Sequence, residues 1–82
     1  MKTSEAKVLV YLSQVAPPLR YKMYMSAKLD MDYGYLTKII NGLVARGLVS
    51  SVVTHIKNKV FYKVTEAGGE VLQEAKKKLS QK

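Results

Sequence analysis

The chain has 82 residues, with 14 lysines and arginines against 6 aspartates and glutamates, a formal net charge of +8 at pH 7 and no cysteine. This length has room for one domain, residues 1–82, and little space for an enclosed catalytic cavity. The lack of cysteine excludes disulfides and thiolate metal sites, and no apolar run reaches the ~18 residues of a membrane span. Because the amino terminus also lacks a signal-peptide core, we expect a cytoplasmic protein. Its charge favours a polyanionic partner, with nucleic acid first and an anionic membrane surface second.

The first predicted helix covers residues 3–16. It begins with Thr, Ser and Glu, which suit a helix N-terminus. Its apolar stripe consists of Val8, Leu9, Leu12, Val15 and Ala16. Val10 and Tyr11 add apolar surface on the other side, more than one core stripe requires. Pro17 and Pro18 then stop the helix, because proline lacks an amide donor and restricts the residue before it.

A second short helix is predicted over residues 20–29, where Met23, Ala27 and Tyr24 have helical spacing. A turn at residues 30–32 separates it from the next helix. The stretch therefore predicts two short helices joined by a tight turn.

The third predicted helix, residues 33–46, has the clearest pattern. Its apolar stripe follows the i, i+3, i+4, i+7 spacing and consists of Leu36, Ile39, Ile40, Leu43 and Val44. Asp32 is placed as the N-cap, since its carboxylate can accept from the first free amides of the helix. Gly47 is placed to end the helix in the left-handed conformation.

From residue 48 the pattern becomes rich in β-branched residues, and residues 48–65 predict a β-hairpin. Its polar tip consists of Lys57, Asn58 and Lys59. Thr65 is placed to cap a last helix, residues 66–80. The apolar stripe of that helix consists of Val71, Leu72, Ala75 and Leu79. Gly68 and Gly69 lower helix propensity near its start, and we expect close backbone packing as the reason for them.

Residues 27–51, AKLDMDYGYLTKIINGLVARGLVSS, resemble the helix-turn-helix of the MarR-like transcriptional regulators and of related small archaeal and viral winged-helix proteins. Residues 45–49 and 64–68 resemble the start of that family's first wing strand and of its final helix. The resemblance covers roughly residues 20–70. It implies an α+β winged helix-turn-helix with a three-helix core, a hairpin wing and a C-terminal helix, DNA binding, and an archaeal or viral source.

Two departures from that family pattern bear on function. Full-length MarR-like regulators carry extra helices for dimerisation and ligand binding, for which this chain has no residues. The hairpin tip is short and lacks the acidic and arginine-rich wing of the family. We therefore expect DNA binding without a small-molecule effector.

The outward face of the third helix supplies the predicted base contacts. With the apolar stripe turned inward, this face carries Tyr33, Gly34, Thr37, Lys38 and Asn41. Asn pairs bidentately with adenine, Lys donates to guanine, and Thr bonds bases or touches a thymine methyl, while a glycine leaves space for a close backbone approach. The alternative is an ordinary solvated face of an amphipathic helix.

Other cations are predicted to contact the DNA backbone. Arg20, Lys22 and Lys28 lie where the second helix of a winged helix crosses the phosphates, with Tyr35 at the boundary. The tip residues of the wing are predicted to reach flanking phosphates or the minor groove: Lys57, Asn58 and Lys59. The alternative for that tip is a solvated turn. Arg46 lies at the carboxyl end of its helix, where it suits the dipole, and we exclude it from base readout.

The sequence offers no catalytic or metal site. His55 is the only histidine, and one histidine without further ligands is a poor metal site. Asp30 and Asp32 are explained by the turn and the cap, and no nucleophile and base pair stands out. The lysines at 76–78 follow three glutamates on the same helix, an order that suits the helix dipole and indicates a solvated face. We expect neither enzymatic activity nor a cofactor.

These observations predict a sequence-specific double-stranded DNA-binding transcriptional regulator. It is expected to act as a homodimer on a palindromic site, with half-sites roughly 34 Å apart. The residues predicted to form the dimer interface are Val10, Tyr11, Leu72 and Leu79. Two alternatives stay open: a winged helix used as a protein-interaction module, and an architectural binder of DNA or RNA with little sequence preference.

Overall fold

The computed structural model describes residues 2–15, 21–53 and 60–80. Within these ranges the chain forms five helices and one two-stranded antiparallel sheet. The elements are α1 (Thr3–Gln14), α2 (Lys22–Leu29), α3 (Tyr33–Ala45), β1 (Val49–Val53), β2 (Val60–Val64), α4 (Glu66–Glu70) and α5 (Leu72–Ser80). Three helices, a hairpin and a helical C-terminal segment follow in the predicted order. The α+β winged helix-turn-helix class is confirmed.

Helix α1 packs against three other elements, α3, α5 and β2. Its fully buried residues are Ala6, Val8, Leu9 and Leu12. Val10 and Tyr11 are half-buried against the same core. The helix begins after Lys2, whose backbone N–H donates to Oε1 of Glu5 at 3.0 Å. The surplus of apolar surface predicted on this helix is therefore used within the chain, where a helix contacted on several sides needs a wide apolar arc.

Helix α2 forms where predicted but buries a different residue. Met25 is fully buried, whereas Met23 is 73% exposed and Ala27 is also exposed. The predicted core face was therefore wrong by about half a helical turn. Met23, Tyr24 and Met25 are consecutive, so helical spacing alone does not decide which of them points inward.

The turn between α2 and α3 is built from polar side chains and one left-handed residue. Asp30 has φ 53° and ends α2, a conformation that aspartate tolerates better than most side chains. The Ser26 hydroxyl donates to the Met31 carbonyl at 2.5 Å. Asp32 caps α3 as predicted, because Oδ2 accepts from the amides of Gly34 at 3.0 Å and Tyr35 at 3.2 Å.

Helix α3 turns most of its predicted stripe into the core. Leu36, Ile39, Ile40 and Leu43 are buried, while Val44 remains 37% exposed. Gly47 follows the helix with φ 75°, which confirms the predicted left-handed end.

The wing is a two-stranded antiparallel hairpin. Val49 lies opposite Val64, and Val53 lies opposite Val60. Val49 and Tyr62 are buried, so the base of the hairpin belongs to the core. The predicted tip residues lie outside the described residues: Lys57, Asn58 and Lys59.

The end of the wing is joined to the end of α3 through backbone groups. The Thr65 amide donates to the Leu48 carbonyl at 3.0 Å, and the Thr65 hydroxyl donates to the Gly47 carbonyl at 2.6 Å. The same hydroxyl oxygen accepts from the Gly68 amide at 3.1 Å, which confirms Thr65 as a helix cap. A Cβ on Gly68 would overlap the Leu48 carbonyl oxygen, so only glycine fits here.

The C-terminal segment differs from the prediction of one continuous helix over residues 66–80. It is divided at Val71 into α4 and α5. The weak helix propensity of Gly68 and Gly69 makes this a favourable place for a break. Close packing explains Gly68, but a Cβ on Gly69 would meet nothing within 4 Å, so that expectation was wrong for Gly69.

The two glycines therefore form a matched pair for substitution. We expect Gly68→Ala to lower the free energy of unfolding by about 1–3 kcal/mol or more, because the new methyl group must displace backbone at Leu48. We expect Gly69→Ala to be neutral or to raise it by up to about 1 kcal/mol through helix propensity. Urea unfolding of both variants tests this, and equal effects would contradict the assigned packing.

A group of aromatic side chains links α1, α2 and the wing. The Tyr21 ring centroid lies 6.0 Å from that of Tyr24 and 6.1 Å from that of Phe61 on β2. Burial, with the neighbouring phenols of Tyr24 and Tyr21, raises the pKa of Tyr11 above the ordinary tyrosine value. The wing is thus attached to α2 as well as to α3.

The raised pKa of Tyr11 predicts a loss of stability in alkali. The folded state favours the neutral phenol, so this contribution is complete below the unfolded-state pKa of about 10 and is lost as the pH rises through the higher folded-state pKa. Between the unfolded-state and the folded-state pKa, the free energy of unfolding of Tyr11→Phe should therefore fall less steeply with pH than that of the parent. Urea titrations across this range measure it, and parallel curves for the two proteins would contradict it.

Candidate nucleic-acid interface

Helix α3 presents a polar outward face between two flanks that are engaged with neighbouring helices. The buried residues of α3 define its inward side, and at 100° per residue Gly34, Lys38 and Asn41 lie on the opposite side. All three are exposed. Tyr35 lies on the flank that contacts α1, and Tyr33 lies on the flank that contacts α2.

The flank toward α1 is held by two consecutive residues of the first turn of α1. The Tyr35 hydroxyl donates to Oγ of Ser4 at 3.2 Å, and Nη2 of Arg46 lies 2.8 Å from Oε2 of Glu5. Glu5 also accepts the Lys2 amide through its other oxygen, so one carboxylate fixes the start of α1 and the end of α3. Half of the Arg46 side chain is exposed, so the pair contributes at most about 1 kcal/mol to stability.

Ser4 and Glu5 were not among the functional residues predicted from the sequence. They lie 31 and 41 residues from their partners, and no local pattern connects positions that far apart. Arg46 lies at the carboxyl end of α3, as predicted, where Glu5 partly neutralises it.

The flank toward α2 contains an aromatic ring beneath a lysine. The Lys22 Nζ lies 5.3 Å from the centroid of the Tyr33 ring. The Thr37 hydroxyl donates to the Tyr33 carbonyl at 2.9 Å, so its proton is used inside the helix. A second pair of this kind occurs within α2, where Nζ of Lys28 lies 5.6 Å from the Tyr24 centroid.

Three lysines of α2 and α3 form no ion pair within the described part of the chain. Within residues 2–15, 21–53 and 60–80, the ion pair formed is that of Arg46 with Glu5. Lys22, Lys28 and Lys38 therefore have no carboxylate partner within this part of the chain. A cation that no carboxylate neutralises is available to a phosphate.

The remaining predicted contacts fall on other parts of the chain. Arg20 and the wing tip, residues 57–59, lie outside the described residues. Their roles stay predictions. The strands that lead to the tip are described as far as Val53 and Val60.

The side chains predicted to form a dimer interface are turned partly inward. Val10, Tyr11, Leu72 and Leu79 are all half-buried against the core. Among the residues described, the exposed large apolar side chains lie on α2, α3 and β1: Met23, Tyr33, Tyr35, Val44, Val52 and Val53. The surface of α1 and α5 therefore offers a partner less apolar area than the sequence suggested.

Two other kinds of site are absent from the described ranges. No group of three His, Cys, Asp or Glu residues there could hold a metal ion. No described helix has the length and hydrophobicity needed to cross a bilayer.

Comparison with solved structures identifies the fold. No protein-family model and no curated protein matches the chain. The apo form of MarR from E. coli has a TM-score of 0.85, with 23% identity over 99% of this chain and 59% of its own. The transcriptional regulator BldR from Sulfolobus solfataricus has a TM-score of 0.81, with 23% identity over 96% of this chain and 55% of its own. A MarR-family regulator from a Rhodococcus species has a TM-score of 0.82, with 20% identity over 96% and 55%.

The chain has the winged-helix fold of these regulators. The resemblance seen in residues 27–51 is thereby confirmed at the level of fold. The chain spans between 55% and 59% of the length of the three proteins.

Proposed function

We propose that the chain is a sequence-specific double-stranded DNA-binding transcriptional regulator without enzymatic activity, which places α3 in the major groove. One observation carries this proposal. The outward face of α3 presents exposed Gly34, Lys38 and Asn41, while its two flanks contact α1 through Tyr35 and α2 through Tyr33. Two proteins similar in fold, BldR from Sulfolobus solfataricus and the MarR-family protein from Rhodococcus, are transcriptional regulators.

Each residue on this face has a chemistry suited to a base edge. The Asn41 amide can donate to and accept from adenine at once, and the Lys38 ammonium can donate to guanine. Thr37 keeps its lone pairs and its methyl group for a base, although its proton is given to Tyr33. Gly34 lies at the start of the helix and has no side chain to hold the DNA away.

The lysines on α2, which form no ion pair within the described residues, would fix the position of α3 on the duplex. Lys22 and Lys28 lie on the helix that precedes α3, and phosphate contacts of this kind set register and orientation without reading sequence. Arg20 and the wing residues Lys57, Asn58 and Lys59 are proposed to extend the same contact.

The first experiment selects a preferred site from random duplexes and measures affinity for it and for random DNA over a salt series. We expect the parent to bind both duplexes more weakly as salt rises and to prefer the selected site. Lys38→Ala with Asn41→Ala should remove most of that preference, because each base contact supplies about 1–3 kcal/mol of discrimination. Lys77→Ala, which removes one charge from the exposed face of α5, is the control and should leave the preference unchanged.

Three other results of this experiment would each indicate a different function. Absence of binding to any duplex at low salt would contradict the proposal and leave a protein-interaction module. Salt-dependent binding without any preference would indicate an architectural binder, and preference for RNA over the same sequence as DNA would indicate an RNA partner.

We further propose that two chains bind one palindromic site. Association would compensate for the small core of a domain of this size, and Val10, Tyr11, Leu72 and Leu79 each keep part of their surface exposed. Sedimentation of the complex with the selected duplex should give two chains per duplex. One chain per duplex, or a selected site without twofold symmetry, would contradict the dimer.

Location in the cytoplasm and an archaeal or viral source remain predictions.

A further inference from the structure

Lys22 and Tyr33 bring the first residues of two helices together. Lys22 begins α2 and Tyr33 begins α3, and the lysine Nζ lies 5.3 Å from the centroid of the tyrosine ring. The Lys22 side chain is half-buried, while the Tyr33 side chain is 48% exposed. The ammonium is therefore held at the corner where α2 meets the start of α3, at the edge of the face proposed to contact DNA.

The ring holds this ammonium without neutralising it. An ion pair would cancel the charge, but the one carboxylate next to Tyr33 in sequence, that of Asp32, is used to cap α3. A cation over an aromatic face is attracted by the ring quadrupole and keeps its full charge and its N–H donors. Lys22 thus remains able to bind an external anion while its position is already restricted.

We propose that Tyr33 is a positioning residue, whose ring holds Lys22 in place for one DNA phosphate, and that it does not read a base. This inference rests on the proposed function and changes the role that the sequence predicted for Tyr33. Through this pair, a contact with the DNA backbone is positioned by the helix that is proposed to read the bases. Tyr33 precedes Lys38 by five residues, about 7.5 Å along the helix axis, so the phosphate and the base contacts would share one rigid element.

Such a pair favours DNA binding because the Lys22 side chain is already ordered in the free protein. A lysine side chain has many rotamers, and holding it on a phosphate normally removes that freedom during binding. With the ring in place, much of the freedom is lost on folding instead. The ring should therefore strengthen binding to all duplexes by the same factor, because a phosphate contact carries no sequence information.

The test uses the full chain with four variants: Lys22→Gln, Tyr33→Phe, Tyr33→Leu and the double variant Lys22→Gln/Tyr33→Leu. Affinity is measured for the selected site and for random duplex over a salt series. A plot of log affinity against log salt has a negative slope, and Lys22→Gln should reduce the magnitude of that slope by about 0.9, the value for one phosphate contact. Tyr33→Phe keeps the ring and should stay within about twofold of the parent. Tyr33→Leu should lower the affinity for both duplexes by the same factor. In the Lys22→Gln background, Tyr33→Leu should have no further effect on affinity.

The pair itself can be measured without DNA. The Lys22 Hε protons should be shifted upfield by the ring current in the parent and in Tyr33→Phe, and the shift should disappear in Tyr33→Leu. Thermal unfolding of each variant checks that the fold is retained, which the exposure of Tyr33 favours.

Three results would overturn the inference. The first is a Tyr33→Leu effect that persists in the Lys22→Gln background or that differs between the two duplexes, since Tyr33 would then contact a base. The second is an unchanged salt slope in Lys22→Gln, and the third is no ring-current shift on Lys22. If the parent prefers the selected site and binds it in a salt-dependent way, only the inference fails. If the parent does not bind DNA, the proposed function fails.

Discussion

The structure depends on the backbone contact between Gly68 and Leu48. Leu48 directly follows the glycine that ends α3, and Gly68 lies in the first helical turn after the wing. The missing Cβ lets these two backbones touch, and Thr65 adds hydrogen bonds to Leu48 and to Gly47 across the same junction. The hairpin therefore begins and ends at one fixed point, beside the end of α3. The position of the wing relative to α3 therefore depends on the contacts at this junction.

The second constraint is the packing of α1, which determines what α3 can show to solvent. Ser4 and Glu5 engage one flank of α3, the core residues of α1 cover its inward side with other elements, and α2 engages the other flank through Lys22. Between the two flanks, an outward strip with Lys38 and Asn41 stays exposed. The candidate site is thus the part of α3 that folding leaves free, and its orientation follows from contacts made by other helices.

Local signals predicted much of this arrangement. The stripe of α3, the Asp32 cap and the Thr65 cap depend on residues within one or two turns of each other, so the sequence was sufficient for them. The choice of Met25 over Met23 as the core residue of α2 depends on where α2 sits against the rest of the chain, and spacing does not contain that information. For the same reason, the contacts made by Ser4 and Glu5 could not be predicted, and the glycine pair could not be divided into one packed and one free position.

The distribution of charge explains how so basic a domain keeps stable helices and free cations together. Of the 6 acidic residues, Glu5, Asp32, Glu66 and Glu74 lie at the N-cap or in the first turn of a helix. There they interact favourably with the positive end of the helix dipole, and Glu5 and Asp32 also accept from backbone amides. Of these, Glu5 is paired with a cation in the described part of the chain. Acids used in this way stabilise the fold without cancelling the lysines of α2 and α3. The aromatic partners of Lys22 and Lys28, which are Tyr33 and Tyr24, leave those two charges intact as well. The positive charge of this face therefore stays available to a polyanion, since the rings that hold Lys22 and Lys28 in place do not neutralise them.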